Sequence, residues 1–226
     1  DENGLEAALQ IKDVLGDEDV KITVVSVGKK ISNAVLQKAL AVGADELVKV
    51  EDPCFESASL DSYATASILA SAIKKLDKCD LILTGRQAAD WNAGQVGIGI
   101  AQILGIPAVT LVKKVDVKGD HAILERVTAT GYEIVKTPLP ALIVASNEVG
   151  VMRYPTMIQR REAKKKPVKA WRAEDIGFEG SLPDRLVLKR LLSPEMRQGE
   201  CRIIEGGAPA EAGRNLASRL REDGIL

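Results

Sequence analysis

The stretch whose residue types could do chemistry runs Leu81-Ile-Leu-Thr-Gly-Arg-Gln-Ala-Ala-Asp-Trp-Asn-Ala-Gly-Gln-Val-Gly97. A short apolar strand gives way to a loop of small and polar residues that leads into a helix. At the carboxyl end of a parallel strand, this order leaves the backbone N–H groups of Asn92, Ala93, Gly94, Gln95 and Val96 bare around a helix amino terminus. Unpaired donors and the positive end of the helix dipole both favour an anion there. The small side chains of Ala93 and Gly94 let a ligand come close to the main chain. The chemistry expected is therefore the cradling of a phosphate, not the making of bonds. Taken alone, Gly85 and Gly94 are equally compatible with a plain tight turn. The Walker lysine pattern and Gly-x-Gly-x-x-Gly are both missing, so the residues themselves lead no further than an anion cradle.

Other chemistries are thinly supplied. The one histidine, His121, sits beside a Gly-Asp turn, so a Ser-His-Asp proton shuttle is not expected. Cys54, Cys79 and Cys201 are odd in number and far apart, which argues against a disulfide framework and against a zinc site. A reducing cytoplasm fits, with the mitochondrial matrix as the alternative. Lysine plus arginine (31) balance aspartate plus glutamate (32), so no global field draws nucleic acid or an acidic membrane. The longest apolar runs are strand-sized, far below the roughly 20 residues of a membrane helix, and no membrane insertion is expected.

The elements that position the loop follow from periodicity. At 226 residues the chain suits one main domain plus appendages. Helical spacing covers Leu5–Leu15, Ile31–Val42, Tyr63–Leu76 and Ala93–Leu104; apolar strand-like runs cover Val20–Val27, Glu46–Val50 and Leu81–Thr84. Strands apolar on both faces, alternating with helices, predict a doubly wound, mostly parallel α/β sheet covered on both sides. Four further extended runs, Ala108–Val117, His121–Ala129, Tyr132–Lys136 and Ala141–Ser146, predict a hairpin excursion and a last sheet strand. Beyond Asn147 regularity fades, and a closing helix is expected over Ala208–Leu220. The division expected is an α/β domain over residues 1–166 and an arm over 167–226.

Several ordered motifs resemble electron transfer flavoprotein β-subunits. They are Gly85-Arg-Gln-Ala-Ala-Asp90 with Gly94-Gln-Val-Gly97, then Glu125-Arg-Val, Gly131-Tyr-Glu-Ile-Val-Lys136 and Leu139-Pro-Ala-Leu-Ile-Val-Ala-Ser146. Arg153-Tyr-Pro155, Ala163-Lys-Lys-Lys-Pro167, Leu5-Glu-Ala-Ala-Leu9 and Ala39-Leu-Ala-Val-Gly-Ala-Asp45 match as well. The resemblance implies a Rossmann-like, adenine-nucleotide-binding fold, with nucleotide contacts at Val27, Gly28, Ala88, Asp90 and Asn92, Ala93, Gly94, Gln95, Val96. It implies electron shuttling by a heterodimer with an α-subunit that bears the redox-active FAD. In some relatives the β-subunit nucleotide is AMP; in the electron-bifurcating branch the same pocket holds part of a second FAD. The short loop, its Gly-Arg-Gln-Ala opening and its Gln-Val-Gly close are similar to the bifurcating type, so a second FAD is expected, with AMP the alternative. Ala93 departs from that type, which often has threonine there, and removes a possible hydroxyl donor.

The resemblance also implies a docking segment for acyl-CoA dehydrogenase or a similar flavin dehydrogenase at Arg153, Tyr154, Met157 and Ile158. Met157 falls at the anchor position, though its plain reading is cover for the domain's own core. Lys164, Lys165 and Lys166 read as a solvated charge run or as an electrostatic docking patch. Trp171, Leu186, Val187, Leu188, Leu191 and Leu192 are too apolar for a free tail, and the family's arm embraces the α-subunit. Family members open with a central strand that has no counterpart before Asp1, so an incomplete native subunit is expected. No catalytic or metal-binding residue is expected, and NADH-dependent oxidoreductase activity only with a second FAD. A universal-stress-type nucleotide module is the alternative, although its Gly-rich phosphate loop is not found.

Overall fold

The computed structural model describes residues 1–16, 19–55, 61–178, 185–186, 188–193, 199 and 201–226. Its chain divides into two compact units, Asp1–Leu188 and Lys189–Leu226. The first opens with helix α1 (Glu2–Leu15), begun by the Asp1 carboxylate, which accepts the Gly4 N–H at 2.9 Å. Then come β1 (Thr23–Gly28), α2 (Asn33–Val42), β2 (Glu46–Glu51), α3 (Ser62–Lys75), β3 (Leu81–Gly85) and α4 (Val96–Leu104). The alternation breaks at β4 (Ala108–Lys118), β5 (His121–Thr128) and β6 (Gly131–Pro138), an antiparallel excursion that returns to the sheet as β7 (Ala141–Ala145). A short helix α5 (Met157–Glu162) and strand β8 (Val168–Trp171) complete the unit.

The strands form an α/β fold with two hydrogen-bonded sheets. One is parallel, in the order β1-β2-β8; the other is mixed, in the order β3-β7-β4-β5-β6. β7 is buried along its whole length, as its Ala-Leu-Ile-Val-Ala sequence demands of a strand covered on both faces. On one side α1 and α2 pack Leu9, Leu36 and Leu40 against Leu47 of β2, while Ala7 of α1 meets Ala145 of β7. On the other side α3 spans both sheets, with Ile68 and Ala72 against Val48 and Val50, and Ala66 and Ala70 against Leu142 and Val144. The alanines keep α3 thin: a methyl placed on Gly99 of α4 would stand 2.9 Å from the Ala66 methyl.

β1 and β3 do not pair, so the strands of the α/β fold are divided between two sheets. Lys21, just before β1, and Asp77, just before β3, line one cleft, so the two strands start at the same end of the unit. Between them runs a cleft of about 880 Å3, walled by Val24, Val25, Leu81 and Leu83 and roofed by Leu5 and Ala8 of α1. Both strands are only half-buried, unlike β7.

One strand lay outside the pattern read from sequence. β8 pairs parallel with β2, Leu47 opposite Val168 through Val50 opposite Trp171, so sheet structure continues past residue 166. Trp171 packs near Val48, Val50 and Ile68, with the Lys75 ammonium 4.9 Å from its ring centre. Leu186 and Leu188 are exposed, and Val187 lies outside the described residues. In the second unit α6 (Pro209–Glu222) opens on Pro209, with the Gly207 N–H bonded to the Glu211 carboxylate. Leu191, Leu192, Ile203 and Leu216 are exposed there. No helix among the described residues is long and apolar enough to cross a membrane.

Candidate functional site

The loop of residues 86–95 joins the carboxyl end of β3 to the amino end of α4. Its first half closes on itself. The Asn92 N–H donates to the Ala88 carbonyl at 2.9 Å, the Gln87 side-chain amide donates to the Asn92 side-chain oxygen at 3.1 Å, and the Trp91 N–H donates to the Asp90 carboxylate. Asn92 and Gly94 both take left-handed conformations, with φ of 50° and 62°; asparagine and glycine are the residues that tolerate this best. The Asn92 N–H is therefore not among the bare donors expected. The amides of Ala93, Gly94, Gln95 and Val96 meet no acceptor among the described residues, and Gln95 makes no side-chain cap for α4. These donors lack a protein acceptor beside a loop exposed over residues 86–93, the arrangement that suits an anion.

Two glycines set how closely this loop is packed. A β-carbon on Gly97 would stand 2.6 Å from the Thr84 hydroxyl oxygen, which is buried without a hydrogen-bond partner, so α4 can rest on the end of β3 only with glycine there. A β-carbon on Gly85 would stand 2.6 Å from the Asp1 carboxylate, so the start of α1 lies directly against the start of the loop. Val27 and Gly28 end β1 at the same carboxyl edge, where the Gly28 carbonyl accepts the Asp52 N–H. The Thr84–Gly97 contact was invisible in the sequence, because a glycine's close neighbour leaves no local signal.

The segment after β7 is built differently. Thr156 and Gln159 form a reciprocal capping box, with the Thr156 hydroxyl accepting the Gln159 N–H and the Gln159 side chain accepting the Thr156 N–H, and this starts α5. Tyr154, Met157 and Ile158 are 81%, 71% and 74% exposed, so Met157 does not cover the domain's own core. Arg153 turns inward: its guanidinium binds Glu6 at 3.0 Å and Asp13 at 2.7 Å. The basic run also splits, since Lys166 donates to the Leu40 and Ala44 carbonyls at the end of α2 while Lys165 pairs with Glu162. Glu6 has no sequence signal of its own, being 147 residues from its partner.

Comparison with known proteins decides the family. The electron transfer flavoprotein domain profile matches residues 1–176. An electron transfer flavoprotein subunit beta of Thermoanaerobacterium thermosaccharolyticum is 39% identical, the alignment covering all of this chain and 86% of that protein. The chain belongs to the electron transfer flavoprotein β-subunit family. A caffeyl-CoA reductase-Etf complex subunit, CarD, of Acetobacterium woodii is 36% identical over all of this chain and 86% of its own length. FixA of Bradyrhizobium diazoefficiens is 36% identical over 92% of this chain and 75% of its own length. Electron transfer is accordingly the function of this flavin-associated family member, and the universal-stress alternative falls away.

The acidic partners of Arg153 give this β-subunit a pH signature. Burial pushes the Glu6 carboxyl up, but hydrogen bonds and charge from Arg153 outweigh it and hold the group below the ordinary carboxylate range; Asp13 is lowered by the Arg153 hydrogen bond. A lowered folded-state pKa gives stability that is present above the unfolded value, about 4 for a carboxylate, and is lost as pH falls through the folded one. Urea unfolding should therefore show Arg153→Gln well below wild type at pH 7, with the gap closing below about pH 4. An equal gap at both pH values would contradict the assignment.

Proposed function

We propose that this β-subunit holds an adenine nucleotide in the loop of residues 88–96, clasps an electron transfer flavoprotein α-subunit, and presents residues 153–158 to a flavin dehydrogenase. The observation that carries the reading is the run of bare amides from Ala93 to Val96 at the amino end of α4. Val27 and Gly28 extend the seat along the carboxyl edge, where open α/β sheets take their ligands. Ala88 shapes the turn through its carbonyl, and Asp90 stands exposed beside it. The nucleotide proposed is the ADP portion of a second FAD, because the loop is similar to that of the bifurcating type; AMP is the alternative. FAD, when bound, supplies the electron chemistry, while the chain's residues bind and orient it. With a second FAD, the heterodimer would be an NADH-dependent oxidoreductase that bifurcates electrons.

Exposed Leu191, Leu192 and Ile203 in the second unit support the α-subunit as their cover, since apolar side chains of this number favour burial. Exposed Tyr154, Met157 and Ile158, near Arg160 and Arg161, support docking on a dehydrogenase of the acyl-CoA type with an acidic rim. A cytoplasmic site fits the bacterial relatives.

We also infer that the cleft between β1 and β3 has room for one further parallel strand, which would complete a doubly wound, Rossmann-like sheet. The two half-buried strands and the apolar walls support it. A strand of six residues is about 20 Å long and would match β1. In the intact heterodimer, amide exchange should be slow along β1 and β3 together; fast exchange in both strands would refute the strand.

The nucleotide reading is tested by expressing the subunit with its α-subunit and counting what acid releases. Two flavins per heterodimer are expected. One flavin with one AMP would refute the second FAD in favour of AMP, and a heterodimer with no nucleotide beyond the α-subunit's flavin would refute both.

A further inference from the structure

We propose that Glu6 is a positioning residue for the docking segment: its buried carboxylate, acting through Arg153, fixes where Tyr154, Met157 and Ile158 stand. This rests on the docking role proposed above. Glu6 lies on α1 with its side chain only 7% exposed, and it accepts three hydrogen bonds from one residue. They come from the Arg153 backbone N–H at 3.2 Å, its Nε at 3.2 Å and its Nη2 at 3.0 Å. A carboxylate held at once by a guanidinium and by the same residue's main chain fixes the direction in which the chain leaves, because the planar fork has little rotational freedom.

The neighbouring contacts show what is being held. Gln10, one turn along α1, donates to Glu6 at 3.4 Å and to the Val149 carbonyl at 2.9 Å, and Asp13 takes the outer edge of the guanidinium. Met152 is buried in the cluster formed by Leu9, Leu36 and Leu40. The chain is thus fastened to α1 at residues 149, 152 and 153. It is fastened again at Ala163, which is buried, and at Lys166, which caps the end of α2. Between these anchors, Tyr154, Met157 and Ile158 face solvent on a short span closed by the Thr156–Gln159 capping box.

Such a span is exposed yet held at both ends. A loop that must be ordered on docking gives up affinity, and one already fixed does not. An apolar residue would cover this face of α1 without the cost of burying a charge, so the pair is better suited to setting geometry than to adding stability. Inward-facing Arg153 then serves the docking segment as its pivot.

The test uses the heterodimer with the α-subunit, wild type and E6Q, R153Q, the double variant and M157A. An acyl-CoA dehydrogenase charged with its acyl-CoA serves as electron donor. E6Q should raise the KM for the dehydrogenase about tenfold, the scale of a lost hydrogen bond to a charged group, with kcat within about twofold. It should also speed amide exchange over residues 150–158 and leave bound nucleotide unchanged. R153Q should do the same, and the double variant should be no worse than either single one. The proposal is overturned if E6Q lowers Tm while exchange and KM stay at wild type, or if the two substitutions add. M157A without effect on KM would instead refute the docking role, leaving exchange over residues 150–158 to decide whether Glu6 positions the segment.

Discussion

The close approach of α4 to the end of β3 is the constraint on which the rest of the molecule turns. It exists because Gly97 presents no side chain where the Thr84 hydroxyl already stands. With the helix seated there, its amino end projects at the carboxyl edge of the strands. The loop leading to it then has to turn through left-handed conformations at Asn92 and Gly94. That path spends the Asn92 amide on the Ala88 carbonyl and leaves the next four amides bare. A bulkier residue at position 97 would lift the helix, and the donors would no longer converge beside the strand end. Helix packing and the anion seat are in this sense one feature.

Helix α1 links the two functional regions. Its first residue, Asp1, lies against Gly85 at the start of the proposed nucleotide loop, and its middle carries Leu9 into the core beside β2. Its outer face holds Glu6, Gln10 and Asp13 against the segment of residues 149–153. It also roofs the cleft between β1 and β3, so the two sheets are joined by helices α1 and α3 and not by strand pairing. One element thereby sets the distance between the candidate cofactor loop and the proposed docking segment.

Much of this was legible in the chain because hydrophobic period reports local structure. The helices at Glu2–Leu15, Asn33–Val42, Ser62–Lys75 and Pro209–Glu222 and the strands from β1 to β7 lie within a few residues of the runs that predict them. α4 begins at Val96 and not Ala93, since Ala93 and Gln95 flank a left-handed glycine that no helix admits. β8 was hidden by its shortness and exposure: four residues on a sheet edge, next to a basic run, carry no alternation that stands out. Lys166 looked like its neighbours, although its ammonium caps a helix more than 120 residues earlier. Glu6 and Arg153 were unreadable as a pair for the same reason: only the folded chain brings them together.

The central claim is that the amides of Ala93, Gly94, Gln95 and Val96 grip the phosphate of an adenine nucleotide. It is tested most directly by amide exchange across residues 86–100 in the heterodimer, with the nucleotide bound and after its removal. Protection gained with the nucleotide should fall on residues 93–96, with Asn92 already slow in both states. Exchange at these four amides that ignores the nucleotide, with protection appearing elsewhere in the subunit, would contradict it.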